Sequence, residues 1–302
     1  MLRRNSKGRS INGIVLLNKD IGLSSNTALQ KVKRLFFAKK AGHTGALDFS
    51  ASGILPICLG QATKIAQFLL EEDKRYFVRG KLGQISDTGD CEGSIIKTQP
   101  FEHLSDSEIA KVTASFKGNI FQIPPMYSAL KRDGQPLYKL ARQGIEVERE
   151  SRLVTIYKII YLGYKNGILS LEVTCSKGTY IRTLIEDIGK KLSCGAHVVE
   201  LRRTGFAHID ISQTLTFSEL EILSSNGYQA LDDKILASED MLLNLEGVYL
   251  SKVQSVDIKF GREIQTDKQG LLKVKLFNEK KQFFGIGQCQ GNGIILPKKL
   301  FV

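Results

Sequence analysis

The sequence predicts an α+β protein: a large unit built around a mixed, mainly antiparallel sheet, followed by a small β unit at the C-terminus. Three observations carry this. Two strand-like runs, Arg152 to Tyr164 and Ile168 to Cys175, flank Asn166-Gly167, the pair favoured in two-residue type I′ hairpins. Ser105-Asp106-Ser107-Glu108 and Thr216-Phe217-Ser218-Glu219 read as capping boxes that open helices. From Val248 onward the chain reads as short strands separated by glycine turns. At 302 residues, one large domain or two unequal ones can each bury a core.

Taken in order, Gly13 to Leu17 reads as a buried strand and Asn18 to Ser25 as the loop after it. Ser24 or Ser25 can N-cap a helix carrying Leu29, Val32 and Leu35/Phe36 inward. That helix also displays Lys31, Lys33 and Arg34, and the basic run continues to Lys39 and Lys40. Gly42 to Asp48 is a glycine-loosened loop delivering one carboxylate, since glycine permits close backbone approaches that other residues resist. Gly53 to Gly60 follows as an apolar strand, and Gln61 starts a helix with Ile65, Phe68 and Leu69 at helical spacing. Asp48 therefore sits on a loop between buried elements, a common location for reactive groups.

Asp73 to Leu82 alternates as a strand with Tyr76 near its head, Thr88-Gly89-Asp90 turns, and a short strand runs from Ser94 to Lys97. The helix opened at Ser105 places Ile109, Val112 and Phe116 on one face. Pro124-Pro125 then excludes regular structure locally, and Leu137 to Gly144 reads as a short helix in a region rich in Lys, Arg and Tyr. Leu184, Ile185 and Ile188 repeat as a helix with Tyr180 and Arg182 at its first turn. A cation is favoured at the opposite end of a helix, so Arg182 calls for a carboxylate partner. Ala237 to Glu246 is a short linker, and the closing strands are Val253 to Ile258, Leu271 to Phe277, Phe283 to Gln288 and Gly293 to Val302.

Charge narrows the function. Against 31 Asp+Glu stand 43 Lys+Arg, a net charge of +12, which favours polyanions because basic residues displace counterions from phosphates. Cys58, Cys91, Cys175, Cys194 and Cys289 are odd in number and scattered, which fits a reducing compartment better than a disulfide framework or zinc cluster. The four histidines show no metal-ligand spacing. The basic start MLRRNSKGRS precedes only Ile14 to Leu17 as an apolar run, too short for a signal or membrane segment. A cytoplasmic protein is expected. Gly285-Ile286-Gly287 lacks the third glycine of a dinucleotide fingerprint.

The stretch Gly42-His43-Thr44-Gly45-Ala46-Leu47-Asp48, with Gly53-Ile54-Leu55-Pro56-Ile57 and Leu59 to Lys64 after it, resembles the central motif of the TruB family, the tRNA pseudouridine-55 synthases. Asp73-Lys74-Arg75-Tyr76, Gly178-Thr179-Tyr180-Ile181-Arg182 and Leu201-Arg202-Arg203-Thr204 through Phe206 resemble further motifs of that family in the same order. The resemblance covers nearly the whole chain. It implies a pseudouridine-synthase fold over residues 1–240, an RNA-gripping insertion at about 122–151, and a PUA-like domain over 247–302. It implies that Asp48 is the nucleophile, that Arg182 pairs with it, and that Tyr76 and Tyr180 lie against the bound base with Leu201 beneath. His43 resembles the residue that fills the place of an extruded base, and Lys39 and Lys40 would contact phosphate.

The implied reaction breaks the N1–C1′ bond of a uridine, turns the base and joins C5 to C1′. It needs no cofactor or metal. Attack of Asp48 on C1′, attack on C6 and a glycal route all remain open, and Tyr76 is the expected acceptor of the C5 proton. The expected partner is the T-arm stem-loop of tRNA, with no obligate protein partner and a monomeric chain. Two other readings stand beside this one. One is an RNA-binding tRNA-folding chaperone with little catalysis; the other is a pseudouridine synthase acting on another RNA. The fuller tails of the guide-RNA relatives are missing here. Asp20 replaces a proline of the family pattern, so any role for Lys19 stays open; Phe49 also replaces a proline, which loosens the loop, Ser52 a threonine and Gln61 a glutamate.

Overall fold

The computed structural model describes residues 7–301. The basic start of the chain through Ser6, and Val302 at the end of the last expected strand, lie outside the described residues. The strands of the large unit are β1 (Gly13–Lys19), β2 (Ala41–His43), β3 (Ala51–Leu59), β4 (Lys74–Leu82), β5 (Gln84–Ser86), β6 (Ile95–Thr98), β7 (Gly118–Gln122), β8 (Lys131–Arg132), β9 (Gln135–Pro136), β10 (Arg152–Lys165), β11 (Ile168–Cys175), β12 (Ala196–Phe206) and β13 (Ile209–Asp210). Its helices are α1 (Ser25–Leu35), α2 (Ala66–Leu69), α3 (Asp106–Ala114), α4 (Leu137–Ala141), α5 (Ile181–Lys191), α6 (Phe217–Ser225) and α7 (Tyr228–Asp232).

Among the described residues a nine-stranded sheet runs in the order β1-β3-β12-β4-β11-β10-β7, with β2 on β3 and β13 on β12. Every pairing in it is antiparallel except β3 with β12. This is the mixed, mainly antiparallel sheet that the alternating runs predict. The Asn166-Gly167 turn has φ of 54° and 77°, as a type I′ hairpin requires.

The parallel seam depends on one glycine. Gly53 has φ of +104°, and a Cβ built there would lie 2.2 Å from the Arg203 carbonyl oxygen. Only glycine lets β3 come that close to β12.

One face of the sheet is covered by α1, α3, α5 and α6, whose Val32, Ile109, Ile185 and Leu220 pack into a single apolar core with Val78 and Leu171. The N-cap of α1 is Ser24, which accepts the Thr27 N–H; Ser105 caps α3 by accepting from Glu108 N–H at 3.2 Å. A full capping box opens α6 at Thr216 and Glu219. Gln61 lies in a 3-10 turn, Gly60–Lys64, and the α-helix begins only at Ala66.

A separate five-stranded sheet forms the C-terminal unit, from β14 (Glu246–Tyr249), β15 (Ile264–Gly270), β16 (Lys273–Phe277), β17 (Phe283–Cys289) and β18 (Gly291–Leu300), in the order β14-β16-β17-β18-β15. It has its own core around Val248, Val274, Leu276 and Ile295. Ile286 of β17 instead joins Ile14, Ile54, Phe68 and Phe206 in a second core of the large unit. One strand expectation fails here: Val253 to Ile258 lies within a helix, α8 (Lys252–Lys259). Ser251 and Gln254 form a full capping box at its start, and a nucleated helix satisfies the backbone groups that a strand there would have to pair. Among the described residues no helix is long and apolar enough to cross a membrane.

Candidate active site

A cavity of about 960 Å³ opens over the middle of the large sheet, lined by His43, Asp48, Tyr76, Tyr180, Arg182 and Leu201 among others. Residues scattered over some 160 positions meet because each stands on an element anchored in the sheet. Tyr76 is on β4, Leu201 on β12, and Tyr180 is the N-cap residue of α5.

Asp48 is held from behind by a chain of short contacts. The Lys19 ammonium is fully buried and donates to the carbonyls of Asp20, at 2.9 Å, and Leu23, at 2.8 Å. That fixes the loop leading into α1. Ser25, the first residue of α1, then donates through Oγ to the Leu47 carbonyl at 2.9 Å and accepts the Leu47 N–H at 2.7 Å. The residue before Asp48 is thus clamped on both backbone groups. Burial pulls the Lys19 ammonium down to about 8, against the raising influence of Asp20 and Asp48. The geometry answers what the sequence left open: Lys19 braces a loop through backbone carbonyls. Phe49, where the family pattern has proline, is half exposed, and its carbonyl accepts the Gly22 N–H at 2.9 Å.

Arg182 grips Asp48 at two points, Nε to Oδ2 at 3.0 Å and Nη2 to Oδ1 at 3.2 Å. Its other N–H groups donate to the carbonyls of Thr88, at 2.9 Å, and Tyr127, at 2.7 Å, and Asp90 stands 3.7 Å from Nη1. The carboxylate partner demanded by an arginine at a helix N-terminus is therefore a pair, Asp48 and Asp90. The two differ in exposure: the Asp48 side chain is 39% accessible from the cavity, the Asp90 side chain 5%. Only Asp48 can be approached by a ligand.

Desolvation by the surrounding walls pushes the Asp48 carboxyl above the ordinary carboxylate range, and Asp90 adds to this; Arg182 and Lys19 oppose it. Desolvation outweighs the ion pair here, as it can for a charge pair withdrawn from water. Burial likewise raises the Tyr76 phenol, with Arg203 the foremost opposing influence. His43 is pulled down by burial and by Arg203, and its buried Nδ1 has no hydrogen-bond partner. Both influences favour the neutral imidazole at the cavity wall.

The geometry does not bring every expected residue into this cavity. Lys39 and Lys40 are exposed on the turn between α1 and β2, outside the lining. Sequence reasoning also missed contributors. Asp90 read only as a turn residue, although it is buried and accepts from Thr88 Oγ1 at 2.7 Å and the Glu92 N–H at 3.1 Å. Gln122, just before the two prolines, is buried and holds the backbone of Tyr180 from both sides, accepting its N–H at 3.0 Å and donating to its carbonyl at 3.2 Å. Tyr127, Tyr138 and Arg142 of the 122–151 segment also line the cavity. Among the described residues no group of three or more His, Cys, Asp and Glu side chains could hold a metal ion.

The architecture matches known structures. A Cbf5-Nop10-Gar1 complex contains a chain that superposes with a TM-score of 0.73 at 25% identity, covering 96% of this chain and 85% of that one. The archaeal box H/ACA sRNP Nop10-Cbf5 complex gives 0.73 at 22% identity over 96% and 86%, a likeness of fold. The fold is that of the chains in these Cbf5 complexes.

Residues 33–181 match the family described as TruB family pseudouridylate synthase (N terminal domain), residues 182–244 the tRNA pseudouridylate synthase B C-terminal domain, and residues 247–301 Pseudouridine synthase II TruB, C-terminal. A protein of Actinobacillus pleuropneumoniae named tRNA pseudouridine synthase B is 45% identical over 99% of both chains. One of that name from Nitrosococcus oceani is 47% identical over 99% of this chain and 97% of its own. The chain belongs to the TruB family of pseudouridylate synthases.

Proposed function

We propose that this chain isomerises uridine-55 in the T-loop of tRNA to pseudouridine, with Asp48 as its nucleophile. The observation that carries the reading is the two-point grip of Arg182 on Asp48 inside a cavity wide enough for a nucleotide. One carboxylate gripped by a buried arginine suits an isomerisation. In glycoside hydrolysis a second carboxyl group must move protons for an external water and leaving group; here the leaving group is also the acceptor. Arg182 keeps Asp48 charged and aimed, opposing the desolvation that would neutralise it.

The other roles follow from position. Tyr180 and Leu201 hold the base, and Tyr76 takes the C5 proton. A base folded into the T-loop must be extruded first, as enzymes acting on a base generally require, and His43 fills the space it leaves. Lys39 and Lys40 contact backbone phosphate outside the cavity. Residues 1–240 form the catalytic domain, the segment at about 122–151 grips RNA, and 247–302 form a PUA-like RNA-binding domain. The chain works as a monomer in the cytoplasm without an obligate protein partner, and the isomerisation needs no cofactor.

Mapping pseudouridine base by base on unmodified tRNA transcripts tests this reading. Modification confined to the T-loop uridine supports it. Modification elsewhere would mean another RNA target, and binding without modification would mean a folding chaperone.

A further inference from the structure

Arg203 is a large, fully buried side chain, 1% accessible, on β12. Its Nε donates to the Ile54 carbonyl at 2.6 Å, and Nη2 lies 3.5 Å from the Gly45 carbonyl. Among the described residues it forms no ion pair. A guanidinium taken out of water without a carboxylate is costly, and a purely structural tie between two carbonyls could be made by a neutral donor. The charge therefore calls for a use.

Two facts locate that use. Arg203 stands directly opposite Tyr76 in the pairing of β12 with β4, and both side chains line the same cavity. The groups acting on the phenol are Arg203 from β12, Cys175 from β11 and Asp48 from its loop. Lys74 on Tyr76's own strand, His43 on β2 and Arg182 on α5 line the same cavity. Of the three that act on the phenol, Arg203 alone favours its deprotonated form.

We propose that Arg203 is a positioning residue for Tyr76, its buried positive charge orienting the phenol and stabilising the phenolate that removes the C5 proton. The inference rests on the reading of Tyr76 as proton acceptor. Once C5 is joined to C1′, the C5–H bond breaks and its electron pair forms C5=C6. The C6=N1 pair moves onto N1, which takes a proton from water. The phenolate takes the C5 proton, becomes the phenol, and returns that proton to water.

The test uses the full chain and a T-arm RNA hairpin carrying hydrogen or deuterium at C5 of the target uridine, under single turnover. Arg203→Gln should slow product formation by about a hundredfold, within the range for loss of general base catalysis. It should also make the rate sensitive to deuterium, because C5 deprotonation becomes limiting. The defect should shrink as pH rises toward the ordinary tyrosine value of about 10. Arg203→Lys keeps the charge without the fork; it should retain more activity with a smaller isotope effect, and it stands in if the glutamine variant fails to fold.

A slow Arg203 variant with no isotope effect would overturn the proposal, because misplacing Asp48 through Gly45 slows an earlier step and hides C5 deprotonation. Tyr76→Phe run in parallel separates the two claims. If it shows no isotope effect, the proton-acceptor reading fails; if it shows one and the Arg203 variants do not, only the proposal for Arg203 fails.

Discussion

Arg182 and Asp48, 134 positions apart, meet as a two-point ion pair, Nε to Oδ2 at 3.0 Å and Nη2 to Oδ1 at 3.2 Å. The guanidinium meets five oxygens at once: both of Asp48, the carbonyls of Thr88 and Tyr127, and Asp90 Oδ2 at 3.7 Å. A lysine ammonium has no planar fork with which to reproduce that pattern. Arg182→Lys should therefore lower kcat by about a hundredfold or more, the scale for losing one preorganised donor at a developing charge. KM for the T-arm RNA should change little. Steady-state kinetics on unmodified transcript checks the split.

Asp48 has a raised pKa, with desolvation first among its causes and Asp90 contributing. Its active form is the carboxylate, so activity should fall on acidification with a midpoint above the ordinary aspartate value of about 3.9. Asp90→Asn removes a neighbouring negative charge and frees Arg182 for Asp48. Both effects favour the carboxylate, so the acid limb should move to lower pH. A single-turnover rate profile below neutrality checks the direction.

The same shift has a stability consequence. A folded-state pKa above the unfolded value means the native chain binds the Asp48 proton more tightly. This group's contribution is then most favourable below both values and is lost as pH rises from the unfolded pKa through the folded one. At neutral pH the charged carboxylate costs stability. The melting temperature of Asp48→Asn relative to the parent should therefore be higher at pH 7 than at pH 4, which calorimetry measures.

Lys39 and Lys40 are exposed and lie outside the cavity. Replacing both with Glu should weaken T-arm binding and flatten its dependence on salt, because fewer counterions are released. Stability should change by no more than about 0.5 kcal/mol per site. Binding titrations at several salt concentrations decide it.

Gly53→Ala should be far more damaging than its size suggests. The backbone is at φ +104° and the new methyl would meet Arg203 main chain at 2.2 Å. A strained non-glycine residue there costs about 1–3 kcal/mol before the clash is counted. A lowered denaturation midpoint is expected.

What the sequence makes legible here is local. The Asn166-Gly167 turn, the alternating strand headed by Tyr76 and the caps at Ser24 and Thr216 are each set by residues within one or two turns of chain. Arg182 could be marked as needing a carboxylate because its place at the head of α5 is itself a local fact. The identity of Asp90 as a partner is different, since it depends on the Thr88-Gly89-Asp90 turn being held against β12 at Val198. Arg203 is legible only in direction: two residues after the inward Leu201 it shares that face of the strand, and it is buried while Arg202 is exposed, but its partners Ile54 and Gly45 lie on distant elements. The misread segment at Val253 to Ile258 shows the converse. Its apolar residues suited a strand, but the local signal at Ser251 and Gln254 set a helix. β15 escaped notice because its sequence, IQTDKQG, is mostly polar at the edge of the C-terminal sheet.

The most direct test of the account is single-turnover pseudouridine formation by Asp48→Asn on unmodified tRNA transcript. The amide keeps the shape of the side chain and removes the nucleophile, while Arg182 retains Asp90, Thr88 and Tyr127 as partners. The variant should fold and bind T-arm RNA within about tenfold of the parent, a difference of about 1.4 kcal/mol. Product formation should drop by several orders of magnitude, since covalent catalysis leaves no substitute path. Substantial residual conversion by a folded, RNA-binding Asp48→Asn protein would place the nucleophile elsewhere and contradict the account.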